Sequence, residues 1–525
     1  MRTRMDRRQF FKASSLGLGT VGIIGYGIAP GQLLASTSPV RRSRYLINLQ
    51  GFGGWDSSWH HSPVLVKDTA GLSGADLTNQ FYGVVANATR FPDSQAIAFA
   101  NGFVGPTFAN YSSADLNNLL IWRGLVAEGS HSVGNHLIQN GHPSSYASSF
   151  STIVADALAR APDYPRTLHY AQLTANTAAF DSGPGLMHGP GIPLNIPNAS
   201  SWAALSAADP NDPVADPKLK ALVDNTVNNL AGNVSGAQLN ATRNLFQGDF
   251  LTGYTDASLL IGHNYATSSA FTATVATYHK AVVDDLTALL FSSASASALR
   301  DAIALMPGLP AAAANVEAFL VQTIGNLDSL VFAYALADFL ITNDLSAVVD
   351  LPMSYGDYHD RNDADLIGVA VSLACLKTLL RKLQATPLPN GQSGSFFDAT
   401  LVVVSTEFDR QVARTVNNPA FSNRPGTNHG STSSVIMAGY GVNNGKIIGG
   451  RGTGPNGIYG GTGMPFLQPL PVDPATGEPN ASGVLASQRA VLPTVLKIFG
   501  LSVPSQQQTE QVALPAVIKP GHSGT

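Results

Sequence analysis

The feature that most constrains the fold of this chain is a series of short apolar runs separated by stretches with helical periodicity. Several runs are apolar almost throughout, which is typical of strands whose two faces are both covered. Between the third and fourth runs, residues 366–383 carry apolar side chains at the spacing of one helix face, and Asn362 or Asp363 can cap its start. Strands that alternate with helices predict an α/β protein with a parallel or mixed sheet. The five runs are residues 45–50, 119–122, 347–353, 401–405 and 434–438.

The pattern favours one α/β domain with an insertion over several separate domains. We predict this domain at residues 44–501, followed by a C-terminal tail at residues 502–525. Residues 218–345 have helical periodicity and Ala-rich segments, so we predict a helical insertion there. The insertion ends in a helix over residues 326–340 that leads into the third strand. We expect it to cover one side of a cleft at the strand ends and to supply no metal ligand.

Composition and charge limit the kinds of partner and chemistry. Charged residues make up 12% of the 525 residues, about half of the usual share, and the net charge is −4. Lys and Arg form no long run outside the N-terminus, which argues against nucleic acid as a partner. Cys375 is the only cysteine, so an internal disulfide and a thiolate metal cluster are both excluded. It lies in an apolar helical pattern, and we expect it in the core.

The N-terminus has the pattern of a twin-arginine export signal. Arg7 and Arg8 are followed by a spacer, two bulky apolar residues and Lys12, and residues 13–40 carry no charge. Small residues towards the end of that stretch offer a cleavage site, so we predict a signal peptide at residues 1–35. The alternative is a retained membrane anchor, but the many glycines favour a removable signal. We therefore expect a periplasmic or secreted protein that the twin-arginine machinery exports and that keeps no stable membrane span after processing.

Polar side chains gather where the predicted strands end. The first strand runs into "GFGGWDSSWHH", the second is followed by "GSHSVGNHLIQNGH", the third ends in "SYGDYHDRND", the fourth ends in "STEFDR", and "GTNHGST" precedes the fifth. Ligands of open α/β sheets bind outside the carboxyl ends of the strands, so we expect these residues around one cleft. A single Asp or His in such a loop is most often solvated or a helix cap, but five groups at one edge indicate a site. Asp, Glu and His without Cys suit zinc, manganese, magnesium or calcium, and the pattern does not distinguish these divalent metals.

Several motifs, in this order along the chain, resemble a known family. "GDYHDRND", "VVVSTEFDR", "GTNHG" and "MAGYGVNNGKIIGG" are similar to motifs in a family of twin-arginine-exported bacterial proteins of unknown function. That family belongs to the alkaline phosphatase-like superfamily, alongside sulfatases, nucleotide pyrophosphatases and phosphoglycerate mutases. The resemblance covers most of residues 44–501 apart from the helical insertion, and "AVLPTVLKIFGL" resembles the C-terminal helix of sulfatases. It implies an alkaline phosphatase-like, mainly parallel sheet flanked by helices, and hydrolysis of small anionic phosphate or sulfate esters.

The resemblance also implies a set of metal ligands. Asp56 corresponds to the metal-binding aspartate after the first strand of the superfamily. Asp357 and His359 correspond to the Asp/His pair of one metal site, which His429 completes. Glu407 falls where the superfamily's second Asp-His pair begins, and together with Asp56 it would serve the other metal. We expect Asp357, His359 and His429 to form the tightest trio.

Other positions match the superfamily less closely. Ser130 and Ser132 both fall in the nucleophile region, and neither lies in the sulfatase motif that matures to formylglycine, which disfavours a sulfatase. Phe408 stands where many members have a ligand histidine, and Asp409 stands where relatives have glycine. Arg410 could hold the anionic oxygens of a substrate, and a surface salt bridge is the alternative for it.

A non-catalytic scaffold or surface protein that keeps the fold, and with it a structural metal, is the alternative to a hydrolase. The loss of a ligand histidine at Phe408 fits that interpretation, because folds outlive functions. His60, His61 and His136 are secondary candidates, and we expect them to be solvated or to support a ligand rather than to bind metal directly.

Replacement of both Arg7 and Arg8 by lysine should hold the protein in the cytoplasm, because the paired arginines carry the export prediction. Immunoblots of cytoplasmic, periplasmic and culture fractions measure this. An unchanged exported yield of the double variant would show that another route carries the protein.

Overall fold

The central feature of the structure is one eight-stranded sheet with helices packed on both faces. This confirms the predicted α/β class with a mostly parallel sheet flanked by helices. The computed structural model describes residues 44–51, 53–63, 65, 91–127, 131–143, 147–160, 168–173, 193–206, 264–303, 309–325, 327–353, 362–389, 392–410, 430–452, 468–504 and 511–524. The predicted signal at residues 1–35 lies outside these residues.

The strands were largely predictable from the apolar runs. All five predicted strands are present, and the strands missed in the sequence are short or lie beside loops. In chain order the strands are β1 (Tyr45–Gly51), β2 (Ile97–Phe99), β3 (Gly102–Val104), β4 (Leu119–Val126), β5 (Leu168–Gln172), β6 (Leu194–Asn195), β7 (Ser346–Pro352), β8 (Thr400–Thr406), β9 (Thr432–Gly439), β10 (Lys446–Gly449), β11 (Arg451–Gly452) and β12 (Gln468–Pro469).

One strand of the large sheet runs against the others. The strand order is β10-β4-β9-β8-β1-β7-β5-β6, and β9 pairs antiparallel with both β4 and β8 while the other neighbouring pairs are parallel. β2 with β3 and β11 with β12 form separate antiparallel ribbons. Because β9 is reversed, its first residue lies at the same edge as the last residues of β1, β7 and β8. We refer to this edge as the carboxyl edge.

Alternate residues of the central strands enter two separate hydrophobic cores. On β1, Ile47 and Leu49 join the core on one face, whereas Leu46 joins the core on the other face. β8 shows the same alternation, with Val402 in the first core and Val403 in the second. Successive strand side chains point to opposite faces, so a nearly continuous apolar run is what a sheet covered on both sides requires.

Helices cover both faces. The predicted helix at 366–383 is part of α9, the buried Cys375 confirms the core prediction, and the helix predicted at 326–340 is α8. In chain order the helices are α1 (Ser113–Leu116), α2 (His131–Asn140), α3 (Phe150–Ala159), α4 (Ala199–Ser206), α5 (Ser269–Phe291), α6 (Ser297–Ala302), α7 (Val316–Ile324), α8 (Leu327–Thr342), α9 (Asn362–Ala385), α10 (Phe396–Ala399) and α11 (Val491–Ile498).

The predicted insertion is described from residue 264 onwards, where it forms helices α5 to α8. α8 packs against β7, and α5 packs against both α8 and α9. This part is therefore a layer on one face of the sheet, whereas we had expected a cover over the strand ends. No single helix within the described ranges is long and apolar enough to cross a membrane; two bent pairs, Ser269–Phe291 with Ala294–Asp301 and Ala313–Ile324 with Leu327–Thr342, reach the required length and apolarity only together.

The described part of the predicted tail packs against the domain. Ala516 and Val517 are buried in the same core as α11. His522 Nε2 lies 2.8 Å from the Ile498 carbonyl, and Arg44 donates to the Gly524 carbonyl at 2.6 Å. Residues 511–524 thus belong to the folded unit and close over the beginning of β1.

A buried polar network lies between β1, β7 and α3. The Asp350 carboxylate accepts hydrogen bonds from Ser151 Oγ at 2.7 Å and from Tyr170 Oη at 2.6 Å. Asn48 donates to Ser151 Oγ at 3.3 Å and to Gln139 Oε1 at 2.9 Å. Burial raises the pKa of Asp350 to about 6, although these hydrogen bonds act in the opposite direction.

Asp350→Asn should change how stability depends on pH. The folded protein binds the Asp350 proton more tightly than the unfolded chain, so this group lowers the free energy of unfolding as pH rises from 3.8 to about 6. The variant lacks this loss and should gain up to about 3 kcal/mol relative to wild type between those pH values. Urea unfolding at both pH values measures it.

Asp115→Asn provides the opposite control. Burial alone would raise the pKa of Asp115, but the Arg381 and Ser112 hydrogen bonds outweigh it and lower the pKa to about 2. Its contribution to stability is present above pH 3.8 and is lost as pH falls towards 2, so Asp115→Asn should lose stability at neutral pH. The same pH slope in both variants would contradict the interpretation of Asp350.

Candidate functional site

The segment after β1 turns through two glycines and stays attached to the segment after β8. Gly53 and Gly54 have φ values of 105° and 71°, in the left-handed region that favours glycine. Trp55 then forms a parallel bridge with Asp409, and the Arg410 N–H donates to the Trp55 carbonyl at 2.8 Å. The two strands are thus continued as a pair beyond the sheet, which fixes the side chains on both segments.

Gly54 is needed for contact as well as for conformation. A Cβ at this position would lie 2.3 Å from Phe408 Cε2 and 2.9 Å from the Phe408 carbonyl oxygen. The Phe408 ring is fully buried, so it has little room to move. The glycine in the opening motif therefore allows the segment after β8 to approach the turn closely.

Asp56 is buried at the end of this turn and caps the short 3₁₀ helix Ser57–Trp59. Its carboxylate accepts a hydrogen bond from the Ser58 N–H at 3.3 Å and another from the Ser58 hydroxyl. Its own N–H donates to Asp365 Oδ2 at 3.2 Å. The position at the carboxyl edge agrees with the prediction, but the described contacts of the carboxylate are those of a cap.

Glu407 is the first residue after β8, and its side chain is fully buried. One carboxylate oxygen, Oε1, accepts the Gly53 N–H at 2.5 Å and lies 2.6 Å from His131 Nδ1. The other oxygen, Oε2, is buried and has no hydrogen-bond partner. A buried carboxylate oxygen without a donor is costly, so this atom requires a physical explanation.

Arg410 is a buried residue, so the surface salt bridge considered for it is wrong. Its guanidinium donates to the Gly53 carbonyl and, at 3.4 Å, to the Gly54 carbonyl. The guanidinium carbon lies 5.7 Å from the centroid of the Phe408 ring. Arg410 therefore fastens the glycine turn to the segment after β8, and binding of a substrate anion by this residue stays a prediction.

Asp409 is anchored from several sides. It accepts hydrogen bonds from Trp55 Nε1 at 3.0 Å, Thr432 Oγ1 at 3.1 Å and Ser434 Oγ at 2.8 Å. The His61 ring nitrogen Nε2 is 3.8 Å from Oδ1, which is longer than a hydrogen bond. Burial would raise the pKa of Asp409, but His61, a neighbouring arginine and Ser434 outweigh it and lower the pKa. The aspartate thus ties the start of β9 to the glycine turn.

His60 is buried rather than solvated. Thr107 donates its hydroxyl to the Trp59 carbonyl at 3.1 Å, so His60 Nδ1, 2.9 Å from Thr107 Oγ1, is the donor in their contact. The other nitrogen, Nε2, then carries a lone pair, and it is buried without a partner. Burial, and secondarily His61, lower the pKa of His60 well below its usual value, which keeps the ring neutral.

Asp365 is a site residue that sequence reasoning missed. It lies in the first turn of α9, and burial raises its pKa to about 7, with Arg410 lowering it and Asp56 raising it further. Oδ1 is buried and has no partner. The available signal was its position beside Leu366 on the apolar helix face, where a carboxylate is unusual.

The structure brings Asp56, Glu407 and Arg410 to one edge around the glycine turn. Ser132 lies in α2, but its side chain is outside the described part, and His136 on the same helix is buried 3.3 Å from the Pro143 carbonyl. Within the residues that the structure describes, no group of three or more His, Cys, Asp or Glu side chains could hold a metal ion. The predicted residues that lie outside the described ranges are Ser130, Asp357, His359 and His429.

Buried polar atoms without partners are concentrated at this edge. Three of them are lone-pair acceptors: Glu407 Oε2, Asp365 Oδ1 and His60 Nε2. Atoms of this kind mark places where water or an ion is bound in proteins. A surplus of acceptors favours a cation or a donor-rich ligand over an anion.

Known proteins do not identify this site. No protein-family model matches the chain, and no curated protein matches it. The function therefore has to be argued from the geometry and from the resemblance of the motifs.

Gly54→Ala should destabilise the protein more than Gly325→Ala does. Both glycines have similar left-handed φ values, 71° and 66°, so the conformational cost of about 1 kcal/mol is shared. A Cβ at Gly325 would meet no atom within 4 Å, whereas one at Gly54 would overlap with Phe408. We expect Gly54→Ala to cost roughly 2 kcal/mol more in urea unfolding. Equal losses would mean that the segment after β8 can move away.

Proposed function

We propose that this chain is an exported, metal-dependent hydrolase-like protein of the alkaline phosphatase-like class that acts on phosphate or sulfate esters at the carboxyl edge. The observation that carries the proposal is the buried Glu407 carboxylate, whose Oε2 has no donor. It stands where the resemblance implies a metal ligand. A cation at that oxygen would account for an acceptor that otherwise costs about 1–3 kcal/mol.

The sheet supports this location for a site. In open α/β sheets, ligands bind outside the carboxyl ends of the strands. The reversed direction of β9 leads the chain before it to the same edge, and the Gly430 N–H donates to the Asp409 carbonyl at 2.9 Å. His429 directly precedes Gly430 in the chain, so we propose that it joins the site from there.

The residues proposed to hold the metal are Asp56 and Glu407, together with Asp357, His359 and His429. The described acceptors at the edge fit a divalent cation, since carboxylate oxygens and neutral imidazole nitrogens are suitable ligands for zinc, manganese or magnesium. When bound, such a cation polarises an ester oxygen and lowers the pKa of a hydroxyl group or water.

The other residues of the edge position these groups. Arg410 holds the Gly53 and Gly54 carbonyls, so it keeps the turn that precedes Asp56 in place. We propose Ser130 or Ser132 as nucleophile, since the first turn of α2 favours negative charge that develops there. The substrate is a small anionic ester, and nucleic acid is not a proposed partner.

A non-catalytic exported scaffold is the second candidate. The observation that favours it is that Asp56 serves as a helix cap and that Phe408, at a position of a ligand histidine, is a buried packing residue. This candidate accounts for the fold and for a structural metal, but it gives no role to a nucleophile.

Elemental analysis of the exported protein, followed by a screen of aryl phosphate and sulfate esters, tests the proposal. We expect bound divalent metal and metal-dependent turnover. Glu407→Gln keeps an oxygen for the Gly53 N–H but removes the charge, and it should lower turnover on the order of 100-fold. Glu317→Gln, at a surface carboxylate that is 59% exposed, is the matched control and should leave turnover unchanged.

Two results would contradict the proposal in different ways. Bound metal with no ester turnover would favour the scaffold. A protein that contains no divalent metal and gains no stability from added Zn²⁺, Mn²⁺, Mg²⁺ or Ca²⁺ would remove the metal-dependent mechanism altogether.

A further inference from the structure

His131 and Glu407 form an imidazole–carboxylate pair at the boundary between the buried edge and solvent. His131 is the first residue of α2, and its side chain is 26% exposed, whereas that of Glu407 is fully buried. Nδ1 of His131 lies 2.6 Å from Oε1 of Glu407. The imidazole is therefore attached to the buried carboxylate on one side and reaches solvent as well.

The position of this pair is built into the packing of α2. A Cβ on Gly134 would lie 2.8 Å from the Glu407 Cβ and 2.9 Å from the Glu407 carbonyl oxygen. The glycine thus lets the first turn of α2 lie directly on the residue that follows β8. The Phe408 ring, with its centroid 5.2 Å from that of His131, packs beside the imidazole.

The hydrogen bonds of Glu407 define which imidazole nitrogen carries a proton. Oε1 already accepts the Gly53 N–H, so it acts as an acceptor, and Nδ1 of His131 is the donor in their contact. In the neutral ring, Nε2 then holds the lone pair. Histidines that bind a metal through one nitrogen and donate the other N–H to a carboxylate are the usual arrangement at metal sites.

We infer that His131 is a metal ligand of the carboxyl edge through Nε2, and that Glu407 positions it through Oε1. The inference rests on the proposed function, to which it adds a nitrogen ligand that the motifs did not indicate. It also provides an imidazole at the residue next to Phe408, where the chain has a phenyl ring instead of a nitrogen donor.

Two other histidines show what this combination adds. His279 also lies near carboxylates, at 3.6 Å from Glu317 and 4.0 Å from Asp328, but these side chains are 59% and 88% exposed and do not hold the ring in one orientation. His60 has a buried lone pair at Nε2 but is fully enclosed. His131 has both a fixed orientation and a path from solvent.

The first experiment measures the affinity of the purified full-length protein for Zn²⁺ and Mn²⁺ by competition with a chelating dye. His131→Ala and His131→Gln should weaken the tighter-binding metal by more than about 100-fold, and Glu407→Gln by roughly 10- to 100-fold. His279→Ala is the matched control and should match wild type. Thermal unfolding of the metal-free variants verifies that each is folded, and His131→Gln, which conserves more volume, replaces the alanine variant if that one is not.

The second experiment does not require metal or activity. ¹⁵N–¹H spectra of metal-free protein with labelled histidine, assigned with His131→Gln, should show His131 with its proton on Nδ1. Addition of Zn²⁺ should shift the Nε2 resonance and leave the Nδ1 proton in place.

The outcomes separate the two proposals. Wild type that binds metal while His131→Ala binds it equally well overturns the inference and leaves the proposed function standing. A His131 proton on Nε2 overturns the positioning by Glu407. Wild type that binds no divalent metal overturns the proposed function and the inference together.

Discussion

The parallel pairing of β1 with β8 is the constraint on which the rest of the carboxyl edge depends. Its register, with Gly51 opposite Thr406, continues beyond the sheet to the bridge between Trp55 and Asp409. Backbone groups in the turn after β1 therefore meet side chains from the segment after β8: the Gly53 N–H meets Glu407, and the Gly53 carbonyl meets Arg410. A change of register by one residue would turn these side chains away from each other, because successive side chains of a strand alternate in direction.

Most of the fold could be predicted from the sequence, because its signals are local. The apolar runs at β7 and β8 and the helix-face spacing in α9 are each contained in one segment of the chain. The direction of β9 could not be predicted, since periodicity carries no information about orientation. That direction decides that the residues before β9, rather than those after it, lie beside Asp409.

Less of the site could be predicted, because its contacts join distant segments. The sequence indicated that Asp56, Glu407 and Arg410 share one edge, but it could not indicate that Asp56 caps its own turn or that Arg410 is buried against glycine carbonyls. Asp365 was missed because one carboxylate in the first turn of an apolar helix is usually a favourable charge near the helix N-terminus. Its contact with the Asp56 N–H arises only from the tertiary packing of α9.

The hydrogen bonds that fasten the glycine turn have a consequence for motion. Segments that follow strands usually open independently of the sheet, and their amides exchange with solvent early. Here the amides of Gly53, Asp409 and Arg410 all donate within the paired segments or to Thr432 at the start of β9. These residues should therefore exchange together with the central strands, as one cooperative unit. The carboxyl edge would then be rigid before any ligand arrives, and an ion or ester that binds there would not have to order this part of the chain first.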